Sequence, residues 1–376
     1  MRSELIVLSH LRWDWVWQRP QQLVSRLATA HDRRTWFVEE PVTPPGYDRS
    51  DNRLNYEHLD GVNRVRLEIP EQHRYVGYFD EVLPDYVEQL PELVGEPTED
   101  RVVWLYTPLA LEVALALKPT TLVYDVMDDL AAFKGAAPEL VVRQRQALRE
   151  ADVVFAGGRS LHRSVVRQGR QDAHLFPSGV SVDHYRRDRA PRSAGDRPVA
   201  GYVGVLDERL DIELLDALAA ELPDWEIRMI GPVIKIDPAD LPQRDNITYL
   251  GMQAYEQLPD RMAELDVAIM PFALNEATKS ISPTKTLEYL AAGLPVVSTR
   301  VPDVVADFPG VVDLRDDAAG FAEACRMLRG RAEEAPSAKL GKMLQKAEWS
   351  SIACRMEALA FNRQSLKDTA PQEATA

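Results

Sequence analysis

The sequence predicts an α/β protein of two doubly wound halves with a cleft between them. Three observations predict it. Apolar strand-like runs alternate with helical patterns along the first half, the alternation breaks at a polar stretch, and it then restarts. With 376 residues, each half can bury a core of its own.

The elements follow in order. Strands are expected at Leu5–Leu8, Thr35–Val38, Val65–Ile69, Val102–Tyr106, Leu122–Val126, Val153–Ala156 and His174–Phe176. Short continuous apolar runs suit a parallel sheet covered on both faces. Helical patterns fill 20–30, 80–94, 108–117, 138–150 and 160–169. Residues 186–198, RRDRAPRSAGDRP, read as an interdomain linker because they are polar and carry two prolines. Strands then return at 199–204, 225–231 and 247–251, with helices at 209–222 and 254–265.

The strand DVAIMPF (266–272) leads through a loop to SISPTKTLEYLAAGLPVVST (280–299). Here Ser282 is a good N-cap, and Pro283 fits the first helical position because it lacks the N–H that would go unpaired there. Gly293 stops the helix and Pro295 opens the strand Val296-Val297. Helices continue to about Phe361. The expected organisation is a first domain over 1–185, the linker, a second domain over 199–346, a helix over 347–365 and a mobile tail over 366–376.

A net charge of −15 argues against nucleic acid as a partner. One stretch departs from it: residues 134–170 carry Lys134, Arg143, Arg145, Arg149, Arg159, Arg163, Arg167 and Arg170. That pattern reads as a solvated helix face or as a peripheral contact with an anionic membrane surface. Two cysteines, Cys325 and Cys354, without metal-ligand spacing fit a reducing, cytoplasmic setting. The apolar run Leu5–Leu8 is too short for a signal peptide or a membrane span.

Two segments carry chemistry. The loop after the first strand, SHLRWDWVWQRPQQL, contains no glycine, so the dinucleotide fingerprint GxGxxG is absent, and no Walker A sequence occurs. What it holds is Trp13, Trp15 and Trp17 among Asp14, Gln18 and Arg19, a mixture suited to the apolar and polar faces of a sugar ring. Single tryptophans there could equally cap the core. In the second segment Lys285 and Glu288 lie three apart on one helix face, at the end of a strand where open parallel sheets bind ligands. A helix N-terminus with a lysine in its first turn suits an anion such as phosphate.

The stretches WDWVWQRPQQL, YDVMDDLAAF (124–133), FPSGVSVDHY (176–185), GYVGVLDERLD (201–211), GMQAYEQLPDRMAELDVAIMPF (251–272) and SPTKTLEYLAAGLPVVST run through nearly the whole chain. In these the chain resembles retaining-type glycosyltransferases of the GT-B fold, two Rossmann-like domains facing a cleft, in the family 4-like group. Its likeness is to bacterial enzymes of teichuronic acid and cell-surface polysaccharide assembly. The resemblance implies transfer of a sugar from a nucleotide diphosphate sugar, UDP-sugar by analogy, to a saccharide or polyprenol-linked acceptor, with retention and no cofactor or metal. It implies a donor site in the second domain, an acceptor site in the first, and a last helix that crosses back to the first domain.

Carried over by motif, Glu288 would hold the ribose hydroxyls, and Lys285 and Arg209 the diphosphate. Gly231, Ser282 and Thr284 would line the donor site, and Asp14, Trp17, Gln18 and Arg19 the acceptor site. The tryptophan-rich loop replaces the family's usual glycine-rich one, and the usual Arg-Lys pair is reduced to Arg209. Two further positions depart from the pattern. Ser280 stands where the first glutamate of the E-x7-E motif belongs, with Glu276 the nearest carboxylate, and Asp128, ahead of Asp129, stands near the catalytic histidine position. Two other readings stay open here: a nucleotide-sugar epimerase of the same fold, and a non-catalytic sugar-binding subunit.

Overall fold

A computed structural model describes residues 3–30, 33–70, 77–79, 81–130, 138–187, 195–279, 281, 284–329, 331 and 337–361. Two sheets organise the chain. The first holds β1 (Ser3–Leu8), β2 (Arg34–Val38), β3 (Arg53–Leu59), β4 (Val62–Glu68), β5 (Asp100–Leu105), β6 (Thr121–Val126), β7 (Val153–Ala156) and β8 (His174–Leu175), in the order β3-β4-β2-β1-β5-β6-β7-β8. The second holds β9 (Val199–Val203), β10 (Glu226–Ile230), β11 (Ile247–Gly251), β12 (Val267–Met270), β13 (Val296–Ser298) and β14 (Asp313–Leu314), in the order β11-β10-β9-β12-β13-β14. Described pairings are parallel except between β3 and β4.

The period-two alternation of a strand builds the core. Leu5 and Val7 of β1 face one apolar layer, and Ile6 and Leu8 face the other. The first layer also takes Leu23 and Leu27 of α1 (Arg19–Thr29) and Trp349, Ile352 and Met356 of α13 (Trp349–Phe361). The last helix therefore packs on the first sheet. Arg19, 2% exposed, is held beneath α13 by the Asp125 carboxylate (2.9 and 3.1 Å) and the Phe176 carbonyl (2.8 Å).

The chain crosses between sheets earlier than the polar stretch at 186–198 suggests. Phe176 lies in the first core, whereas Val180 and Tyr185 already pack in the second. The expected boundary at 185 thus moves toward residue 180, because apolar packing and not polarity decides which body a segment joins. Residues 188–194 of the expected linker and the expected tail lie outside the described residues. The return crossing lies alongside the first: the Val180 N–H donates to the Ala347 carbonyl (2.9 Å), and the Trp349 N–H to the Val180 carbonyl (3.2 Å).

Two strands escaped the sequence reading. β3 alternates polar and apolar residues without an apolar run, yet the Asp60-Gly61 turn that joins it to β4 was visible as a hairpin signal, with φ of 51° and 79°. β14 is two residues long and has no legible pattern.

Four arginines of the basic stretch are engaged in structure. Arg143 pairs with Glu112 and Arg159 with Asp307, Arg163 donates to the Ser160 hydroxyl, and Arg170 holds Asp172 and the Leu148 and Ala151 carbonyls. Lys134 lies outside the described residues. Among those residues no helix is long and apolar enough to cross a membrane.

Candidate active site

A cleft of about 390 Å³ separates the two bodies at the C-terminal ends of both sheets' strands. Its second-domain wall is built on α9 (Thr284–Ala291) and the end of β9. The Tyr289 hydroxyl fixes the two together, accepting from the Val203 N–H (2.7 Å) and donating to the Val203 carbonyl (3.2 Å). Helix position is thereby tied to strand position, which aims Thr284, Lys285 and Glu288 into the cleft.

The Lys285 ammonium lies 5.3 Å from the ring centroids of both Tyr202 and Phe272. Burial lowers its pKa to about 8, assisted by the Arg209 charge and opposed by Glu288, Asp207 and Asp128. Glu288, also desolvated, is raised above the usual carboxylate range, with Lys285 and then the Tyr185 hydroxyl acting against the shift. Burial alone would lower Arg209, but the Asp207 carboxylate raises it; the two are joined at 2.6 and 2.9 Å. Across the cleft, burial raises Asp128 to about 6, against the opposing fields of Arg209 and Lys235.

Gly204 was not anticipated and is sterically required. A Cβ there would stand 2.7 Å from Lys285 Cε, and its φ of 150° is one that side chains rarely adopt. Gly231, expected among the donor-binding residues, is not among those lining the cleft. A Cβ on it would lie 2.0 Å from the Gly204 carbonyl oxygen, so it supports the Gly204 turn from behind. The legible signal was GYVG at a strand's end, where a ligand or side chain must approach closely.

The first-domain wall sorts its tryptophans into three roles. Trp13 is 4% exposed and packs edge-on against Phe37 at 5.0 Å, in the core. Trp17 stacks on Tyr255 of the second domain (5.3 Å, 17°), and Tyr255 stacks in turn on His184 (4.0 Å, 4°). Its ring therefore bridges the two bodies, which removes one face of the expected acceptor platform, although Trp17 still lines the cleft. Trp15 lines the cleft at 41% exposed. Tyr255 had no signal in the sequence.

Of the remaining expected acceptor residues, Asp14 lines the rim and pairs with Arg64 at 2.8 Å, and Gln18 lines the cleft at the start of α1. Arg19 touches the cleft, but its guanidinium is held by Asp125 and Phe176, so its place is structural support and not acceptor contact. Ser280 and Ser282 lie outside the described residues. Among the described residues no group of three His, Cys, Asp or Glu gathers to hold a metal.

Residues 197–330 match the family model described as glycosyl transferases group 1. A Bacillus subtilis (strain 168) protein described as a teichuronic acid biosynthesis glycosyltransferase, TuaH, is 27% identical over 166 residues, 41% of this chain and 42% of that protein. The match thus spans less than half of either chain. Among solved structures, sucrose-phosphate synthase from Thermosynechococcus elongatus aligns with a TM-score of 0.73 at 18% identity, over 98% of this chain and 100% of that one. The α,α-trehalose 6-phosphate synthase of Burkholderia multivorans aligns at 0.64 and 14% identity, over the whole of both chains (100% and 100%). HepE of Anabaena in complex with UDP-glucose aligns at 0.59 and 14% identity, over 97% of this chain and 98% of that one. The fold is the two-domain GT-B arrangement.

Proposed function

We propose that the chain is a glycosyltransferase that moves a sugar from a nucleotide diphosphate sugar, a UDP-sugar, to a saccharide or lipid-linked acceptor in cell-surface polysaccharide assembly, with retention. The observation that carries this reading is α9 at the cleft. It presents Lys285 and Glu288 three residues apart, opposite Asp128 and beside Arg209. The group 1 match over the second domain and the relatives' descriptions support it.

In this reading Glu288 accepts from the ribose hydroxyls, a charge-assisted and directional anchor. Lys285 and Arg209 face the diphosphate. The acceptor hydroxyl attacks the anomeric carbon on the face from which the diphosphate departs. The bond from that carbon to the phosphate oxygen breaks, and the departing phosphate takes the hydroxyl proton. The protein's task is to stabilise negative charge growing on the leaving oxygens, which suits Lys285 and Arg209. Asp128 orients the sugar or the acceptor.

A thermal-shift panel tests the donor half. UDP at 100 times its dissociation constant should stabilise the fold by about 2.7 kcal/mol; NAD should not. Incubation with the stabilising nucleotide's sugar then separates transfer, seen as acceptor-dependent release of nucleoside diphosphate, from epimerisation, seen as an isomeric donor. Stabilisation by NAD and by no nucleoside diphosphate would sink the reading.

A further inference from the structure

The cleft's cations and its exposed aromatic ring lie on different walls. Among the described residues three cationic side chains line it: Arg19, Arg209 and Lys285. Arg209 and Lys285 belong to the second domain. Arg19, on the first-domain wall, is enclosed by Asp125 and the Phe176 carbonyl. Arg64, just behind that wall, is likewise shared among Glu39 (2.7 Å), Asp14 (2.8 Å) and Glu57 (3.2 Å). The first-domain wall carries two carboxylates, Asp14, which pairs with Arg64 at 2.8 Å, and Asp128, which is half-buried. Of the two second-domain cations that act on Asp128 most strongly, Arg209 is bound to Asp207 and Lys235 stands outside the lining residues.

Within the loop after β1 the three tryptophans are not equivalent. Trp13 is core and Trp17 is stacked between the two bodies, which leaves Trp15 as the ring with area to offer. Met252 and Glu256 of the second domain also line the cleft, and both are exposed. An exposed indole beside carboxylates suits a ligand with an apolar ring face and an edge of hydroxyl donors. A phosphate or carboxylate on the ligand would meet Asp14 and Asp128 without an uncommitted cation among the described first-domain lining residues. Like charges brought together in a partly desolvated cleft repel strongly.

We infer that the acceptor is a neutral saccharide, seated with one ring face on Trp15 and its hydroxyls donating to Asp14, and that sugar phosphates are excluded. The inference rests on the glycosyltransferase reading and narrows its acceptor.

The test uses the full chain with the UDP-sugar found in the thermal-shift panel. UDP release is followed without acceptor, with neutral methyl glycosides and oligosaccharides, and with hexose 6-phosphates. Neutral saccharides should stimulate release and hexose phosphates should not. Trp15→Ala should raise KM for the neutral acceptor roughly tenfold, while the dissociation constant for UDP, measured by calorimetry, stays the same. Trp15→Phe should recover most of the loss. Stimulation by hexose phosphates above neutral saccharides overturns the inference, as does an unchanged acceptor KM in Trp15→Ala. Donor hydrolysis that no neutral saccharide accelerates also overturns it. Failure of UDP to bind at all instead removes the underlying glycosyltransferase reading.

Discussion

Lys285 and Glu288 were legible in sequence because the segment around them follows simple rules: a buried strand, a loop, a proline-marked helix start and a glycine stop. What sequence could not supply was their protonation, which depends on burial and on partners from distant segments. Asp128 at about 6 and Lys285 at about 8 frame a window in which the carboxylate and the ammonium are both charged. If Lys285 must be cationic to meet the diphosphate, kcat/KM for the donor falls above about pH 8. It falls also below about pH 6 if Asp128 must be ionised. Lys285→Arg should push the alkaline limb upward; a limb that stays near 8 would assign it to another group. Stability runs opposite to activity at both limbs. Asp128 is raised from 3.8 to about 6, so its contribution is full below 3.8 and lost as pH climbs through 6. Lys285 is depressed from 10.5 to about 8, so the fold gains as pH rises across that interval. The two side chains also divide by role. Lys285→Ala should lower kcat by roughly 10²–10³-fold, as loss of a single oxyanion donor does, whereas Glu288→Gln should mainly raise the donor KM. Steady-state kinetics on folded variants decides; nearly wild-type values for both would reduce the pair to an ordinary helix-surface contact.

At the scale of elements, the periodic pattern located most strands and helices, and it failed where stabilising partners are remote. Helix α5 (Arg159–Arg167) begins at Gly158, which has no side chain to cap it. The cap comes from Asp303 of α10 (Pro302–Asp307), 143 residues away and 1% exposed. Its carboxylate accepts from the Ser160 N–H (3.1 Å) and hydroxyl (2.6 Å). No local reading of either helix could find this contact, because each looks incomplete alone. It also ties the second domain to the first at the β7 side of the cleft, while the Trp17–Tyr255–His184 stack ties them at the β1 side. Asp303→Ala leaves a buried helix start unsatisfied and should cost about 1–3 kcal/mol. Amide exchange should quicken at residues 159–162 before the sheets are affected. Unchanged exchange there, with unchanged melting, would show that the cap contributes nothing to holding the bodies together.

For the whole molecule, the sequence's broad division into two halves stands, and the crossing points depend on contacts that composition does not reveal. Gly179 shows why. A Cβ there would lie 2.5 Å from the Ala347 carbonyl oxygen and 2.7 Å from Ile352 Cδ1, so the outgoing and returning chains pass as closely as they do only because this residue is glycine. Immediately beyond, α13 lays Trp349, Ile352 and Met356 against the first sheet, and Glu357 pairs with Arg33 at 2.6 Å. These contacts make the last helix a strap across the joint between the bodies. Truncation after Lys346 removes the three apolar side chains, each worth roughly 1.5–3 kcal/mol when fully buried. It also removes the two backbone bonds at Val180 and uncovers the layer that holds Leu5, Leu23 and Phe155. The truncated chain should therefore melt lower, bind a hydrophobic dye and lose cooperativity between its halves. Gly179→Ala keeps the strap but forces the crossings apart, and should lower the melting temperature without the dye signal. If the truncated chain melts like the full one, α13 is an appendage and the two bodies are held by the cleft contacts alone.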